Sequence, residues 1–127
     1  MKSLLTKIVL PLGVLVLCAA ANADTRTVEV WSCTVNEGHS LDDVKSGNRD
    51  WLEFVNGNVD GGGIQSYVLT PVVGALGAFM YVDSFPSMAA WIATKEALTT
   101  EEGMAVEAAL AKVAACESNT LHNSEET

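Results

Sequence analysis

Tyr81 and Asp83 stand two apart in Phe79-Met80-Tyr81-Val82-Asp83, a run that alternates as a strand does. Residues i and i+2 share one face of a sheet. A carboxyl beside a phenol in an apolar setting keeps its proton to higher pH than usual, which suits proton transfer. The competing role for Asp83 is to cap the helix that opens at Ser84-Phe85-Pro86-Ser87. His39 lies just before another helix start, where the positive end of the helix dipole favours a neutral imidazole and hence a general base. Its competing role is a plain loop histidine. Tyr81, Asp83 and His39 are therefore the candidate catalytic residues.

Other motifs fall short of a site. His39 and His122 are the only histidines, with no second His or Cys at ligand spacing, so no metal centre is expected. Asn56-x-Asn58-x-Asp60-Gly61 opens like a calcium loop, but its twelfth position, which needs an acid, is Tyr67. Gly61-Gly62-Gly63 lacks the Lys-Ser/Thr of a phosphate loop. No Gly-x-Ser-x-Gly nucleophile turn occurs either. No cofactor is expected.

The chain has 127 residues and a formal net charge of −9. Its start reads as a secretory leader: Lys2 and Lys7, an apolar run over 8–18, then Ala21-Asn22-Ala23 before Asp24. A lipoprotein attachment at Cys18 would need a small residue before it, and Leu17 stands there. The expected division is a signal peptide over 1–23, one domain over 24–122 and a polar tail over 123–127. Loss of Lys2 and Lys7 takes the charge to −11, against nucleic acid and anionic membranes as partners. The expected location is periplasmic or extracellular. Cys33 and Cys116 remain, and in an oxidising compartment they most simply pair with each other. Free thiols or a bridge between subunits are the alternatives. Closing so long a loop contributes about 4–5 kcal/mol in the chain-entropy view.

The elements that must position these residues follow from periodicity. A β-branched run over 27–35 reads as the first strand. Ser40, with Asp43 three residues on, marks a helix start. Leu41, Val44, Trp51, Leu52 and Val55 recur at helical spacing up to Asn56-Gly57. Strands over 64–73 and 78–83 surround Gly74 and Gly77. A helix follows from Ser87, with a restart at Thr99 and Glu102, and a last strand spans 115–122. The order β-α-β-β-α-β is a ferredoxin-like α+β fold: a four-stranded antiparallel sheet with two helices on one face, the second kinked or split. Strand one lies beside strands three and four, which brings Cys33 at the end of one to Cys116 at the start of the other.

Alternation splits the sheet into an aliphatic face, with Val28, Val30, Met80 and Val82, and an aromatic one, with Trp31, Phe79 and Tyr81. The helices are expected over the aliphatic face. The aromatic face, with Tyr67 from the second strand, is then left open as a ligand surface or as the seam of a homodimer enclosing a cavity.

This order with an aromatic open sheet resembles the dimeric α/β-barrel superfamily, which includes antibiotic-biosynthesis-type and haem-degrading monooxygenases. The haem-degrading members use an Asn, a Trp and a helix His together; Trp91 has no such His beside it. Val30-Trp31-Ser32-Cys33-Thr34, Ser40-Leu41-Asp42-Asp43-Val44, the stretch from Ser66 to Gly74 and the run from Phe79 to Pro86 are similar to uncharacterised small exported proteins of marine bacteria. The resemblance implies the fold and a dimer but carries no mechanism.

Two functions follow as expectations. One is an exported homodimer without enzymatic activity that binds a small apolar or aromatic ligand, or a protein, through Trp31, Tyr67, Phe79 and Tyr81. The other is a cofactor-independent monooxygenase or isomerase-like enzyme in the same cavity, using Tyr81, Asp83 or His39. If the leader is removed and the cysteines pair, protein recovered from the exported fraction will begin at Asp24. Its intact mass will then rise by two hydrogens on reduction.

Overall fold

The computed structural model describes residues 25–127. The leader assigned to 1–23 lies outside them. The order is β1 (Arg26–Val35), α1 (Leu41–Asn58), β2 (Gln65–Leu69), β3 (Ala78–Phe85), α2 (Met88–Ala97), α3 (Glu101–Val113) and β4 (Ala114–Ser124). All pairings are antiparallel and the strand order is β2-β3-β1-β4. This is the ferredoxin-like fold expected, with the second helix split into α2 and α3.

Local chemistry explains most boundaries. The Ser40 side chain accepts from the Asp43 amide while Asp43 reaches back to the Ser40 amide, a complete capping box. Ser87 caps α2 through the Ala90 amide, so Asp83 is not the cap. The third cap is Thr100, which accepts from Gly103; Thr99, expected in that role, instead donates to the Glu96 carbonyl. The first helix outlasts Asn56-Gly57 by a residue and ends against Val59. Asn56 turns its side chain outward to bond both the N–H and the C=O of Ile64, fixing the chain's entry into β2. The strand β2 stops at Leu69, short of the expected 73, and β4 continues through Asn123 and Ser124, which the sequence places in the tail.

The cysteines meet as foreseen. Cys33 and Cys116 are register partners in a disulfide, with Cα atoms 3.9 Å apart. Between Ser32↔Ser118 and Cys33↔Cys116 the register shifts, leaving Glu117 as an extra residue.

The face assignment is reversed. Trp31, Phe79 and Tyr81 lie beneath the protein's own helices. Cys33, Phe79 and Tyr81 pack with Val44 of α1 and Ala114, and with Trp31 and Leu110 at the margin. A second cluster joins Trp51, Val55, Val59 and Ile64 to Phe85. The aliphatic side is the open one: Tyr67, Leu69 and Met80 are exposed there. The physical reason is the filling of space. Helices standing off a sheet leave a deep layer, which rings of large area fill with more burial per residue than Val can. Of the four residues expected to form the open ligand surface, only Tyr67 lies on the open side, because its register partner is Val82 rather than Tyr81.

The joint between α2 and α3 is tight. A Cβ built on Gly103 would strike the carbonyl oxygen of Ala97 and the backbone of Leu98. Gly103→Ala should therefore cost about 1–3 kcal/mol, as overpacking does. Gly57→Ala, with nothing within 4 Å, should be neutral or slightly stabilising. Urea unfolding of the two variants beside wild type checks this; equal midpoints would refute the close joint.

Candidate functional site

Between the helix-covered face of the sheet and the helices lies a cavity of about 210 Å³. Trp31 and Tyr81 form its floor with Asp83; Asn48 and Trp51 come from α1, Lys95 from α2, and Glu107, Leu110 and Ala111 from α3. Ala114 and Cys116 close the β4 side. The sheet register sets the polar part. Asp83 is opposite Ser66 on one neighbouring strand and Glu29 on the other, so three polar side chains form one row across β2, β3 and β1.

The two carboxyl groups in that row are treated differently. Glu29 is 1 % exposed and is surrounded by donors. Lys95 Nζ lies 2.7 Å and Trp91 Nε1 3.1 Å from Oε2, and Asn119 Nδ2 lies 2.8 Å from Oε1. The Lys95 ammonium also stands 5.4 Å and 5.6 Å from the ring centroids of Trp31 and Trp91, within cation–π range.

Asp83 is 5 % exposed and has no cation of its own. Among the described residues its only side-chain hydrogen bond is the one Ser66 Oγ donates to Oδ1. Burial pushes its carboxyl up to about 7; the Ser66 hydrogen bond opposes this, the negative charges of Glu29 and Glu107 reinforce it, and Lys95 counters it. Tyr81 is pushed up to about 12, first by burial and then by the neighbouring Asp83 charge. Among the described residues the Tyr81 hydroxyl has no hydrogen-bond partner. A buried orphan hydroxyl is costly unless a ligand or water meets it. The cavity thus holds a carboxyl that titrates near neutrality, a free phenol donor and a fixed positive charge, between two indole walls.

Tyr81 and Asp83 are brought together as their spacing predicts. His39 is not with them. It sits at the mouth of α1, its Nδ1 3.9 Å from Asp43 Oδ2, and both are well exposed. His122 is exposed and contacts Thr120. Among the described residues no three His, Cys, Asp or Glu side chains gather as a metal would need. Sequence reasoning missed Asn48, Ser66, Glu29, Lys95 and Glu107. Glu29 was within reach, because it alternates onto the face of Trp31; its charge reads as a mark of solvent only while that face is thought open. Nothing in the sequence fixes the offset that sets Ser66 against Asp83.

No protein-family model and no curated protein sequence matches the chain. Solved structures do resemble it. SnoaB of Streptomyces nogalater, a cofactor-independent oxygenase, superposes with a TM-score of 0.60 at 14% identity, over 81% of this chain and 96% of that one. A candidate antibiotic biosynthesis monooxygenase from Caulobacter crescentus gives 0.53 at 16%, over 83% and 92%. Another from Nitrosomonas europaea gives 0.54 at 15%, over 80% and 89%. The fold is therefore that of antibiotic-biosynthesis-monooxygenase-like α/β proteins.

The Asp83 shift has a thermodynamic consequence. Below pH 3.8 the folded and unfolded chains both hold the proton; between 3.8 and about 7 only the folded chain does. The contribution of Asp83 to stability is then greatest at the acid end and falls as pH rises through that window, on the order of 4 kcal/mol in all. Asp83→Asn removes this slope. The excess of its melting temperature over that of wild type should grow by about 15 °C or more from pH 4 to pH 8. A constant difference would show that Asp83 titrates normally.

Proposed function

We propose that the chain is a proton-abstracting enzyme that needs no cofactor, an oxygenase or isomerase acting on a small aromatic or apolar molecule with an acidic C–H bond. The observation that carries this reading is Asp83: a buried carboxyl with one oxygen tied to Ser66 and the other unbonded, titrating near neutrality in a walled cavity. Ionised Asp83 Oδ2 takes the proton; the C–H bond breaks, an O–H bond forms, and the electron pair delocalises into the substrate carbonyl or ring. The Tyr81 hydroxyl and the Lys95 ammonium lower the energy of the oxygen that gains charge. The carbanion then gives one electron to dioxygen and the pair recombines, forming a C–O bond to a peroxide anion that takes the proton back from Asp83; in an isomerase it is instead reprotonated by Asp83 at another carbon. Trp31 and Trp51 provide flat walls and keep water out. The likeness to a cofactor-independent oxygenase supports the reading as analogy only.

The same proposal includes export and a homodimer. The open sheet face carries Tyr67, Leu69 and Met80, and the loop beside it exposes Val72, Val73 and Leu76. So much apolar surface on one side fits a partner of the same kind. The catalytic cavity lies on the other side of the sheet and inside one chain, so each copy would hold its own.

A panel of aryl ketones and hydroxyarenes in D2O, followed by NMR for loss of the acidic C–H signal and by an oxygen electrode, tests the activity. Wild type should exchange or consume at least one member. Asp83→Asn should lower that rate by about 10²- to 10⁴-fold while ligand-induced quenching of tryptophan fluorescence persists. Binding without exchange in wild type would favour the non-enzymatic ligand carrier, and an unchanged rate in Asp83→Asn would remove Asp83 as the base. Light scattering should give twice the mass of the mature chain.

A further inference from the structure

Asn48, Ser66 and Asp83 come from three different elements, α1, β2 and β3, and meet in a chain of hydrogen bonds. Asn48 is 8 % exposed. Both ends of its amide reach the Ser66 hydroxyl without a change of rotamer: Nδ2 lies 2.9 Å and Oδ1 3.2 Å from Oγ. Ser66 Oγ in turn bonds Asp83 Oδ1. A serine hydroxyl has one proton and so can donate to only one of its two acceptors at a time.

That arithmetic leaves two complete arrangements. With Asp83 ionised, Asn48 Nδ2 donates to Ser66, and Ser66 donates to Asp83. With a proton on Asp83 Oδ1, Asp83 donates to Ser66, and Ser66 donates to Asn48 Oδ1. Ser66 is bonded to both neighbours in each; what changes is which end of the Asn48 amide it uses. We propose that Ser66 and Asn48 are positioning residues for Asp83, a bracket whose donor direction reverses as the carboxyl gains or loses its proton. A one-way bracket would suit a single state and resist the other. This one holds the carboxyl in the same place before and after proton transfer, so little reorganisation accompanies the step. Asparagine does not relay protons, so a ligand proton lands on the unbonded Oδ2 and leaves Ser66 donating to Oδ1; the reversal belongs to the resting acid, whose proton sits on Oδ1. The functional meaning rests on Asp83 being the proton-transfer group, as proposed above; the reversal itself does not.

The charges around Asp83 are Glu29 from β1, Lys95 from α2 and Glu107 from α3. Tyr81 faces it from its own strand, α1 presents the neutral Asn48 and Trp51, and Asn119 of β4 is engaged by Glu29. Among the described residues the Ser66 hydroxyl bonds only Asn48 and Asp83, so the Asn48 amide reports its direction.

The test is an NMR titration of the free, disulfide-bonded protein from pH 5 to 9, reading the Asp83 carboxyl carbon and the Asn48 side-chain NH2 together. The Asn48 protons should shift with the Asp83 midpoint, because Nδ2 donates to Ser66 only above it. In Ser66→Ala the Asp83 midpoint should rise by about one pH unit, since a donor to the anion is lost, and the Asn48 signal should stop following it. Ser66→Thr keeps the hydroxyl and should restore both, which also guards against misfolding of the alanine variant. An Asn48 signal flat through the Asp83 midpoint in wild type overturns the proposal. The titration uses no substrate. A protein that shows the reversal but exchanges no C–H proton therefore defeats the enzyme reading alone. If both hold, the acid limb of the rate profile should move with the Asp83 midpoint in Ser66→Ala.

Discussion

Two buried carboxyl groups, Glu29 and Asp83, stand side by side on neighbouring strands, and the cavity offers one cation between them. Most of the structure's polar organisation answers that constraint. Lys95 goes to Glu29, which is the deeper of the two and collects two further donors, Trp91 and Asn119. Asp83 is left with a neutral hydroxyl. Burying a carboxylate without a counter-charge is expensive, so the group responds by holding its proton. The charge of Asp83 is therefore set by pH, whereas that of Glu29 is held by a fixed ammonium.

The topology was largely legible in the sequence, because periodicity and turn residues are local signals. The Ser40 and Asp43 box, the glycine-bounded turns and the split second helix all come from interactions within a few residues of one another. The disulfide was legible for a different reason: the strand order already brings Cys33 to Cys116. Which face the helices cover was not. Both faces of β1 and β3 are apolar, so alternation identifies two sets but not the one that is buried. The aromatic set also carries Glu29 and Asp83, whose polar groups are bonded inside the fold.

The site was half legible for the same reason. Tyr81 and Asp83 are neighbours on one strand, and any reading of the alternation puts them together. Asn48 and Ser66 reach Asp83 through the offset of β2 against β3 and the rotation of α1, which are properties of packing rather than of sequence spacing. His39 failed as a candidate because a position before a helix says nothing about which end of the domain that helix entrance occupies.

The extra residue at Glu117 has a consequence for how this strand can change over time. Cys116 and Asn119 are three apart, yet both serve the covered side, the first as half of the covalent link and the second as a donor to Glu29. In an unbroken strand an odd separation would send them to opposite sides. The inserted residue restores their agreement. Deleting Glu117 would set the two residues two apart in an unbroken strand, still on the covered side, whereas straightening the strand with Glu117 in place would sacrifice either the crosslink or the Glu29 contact.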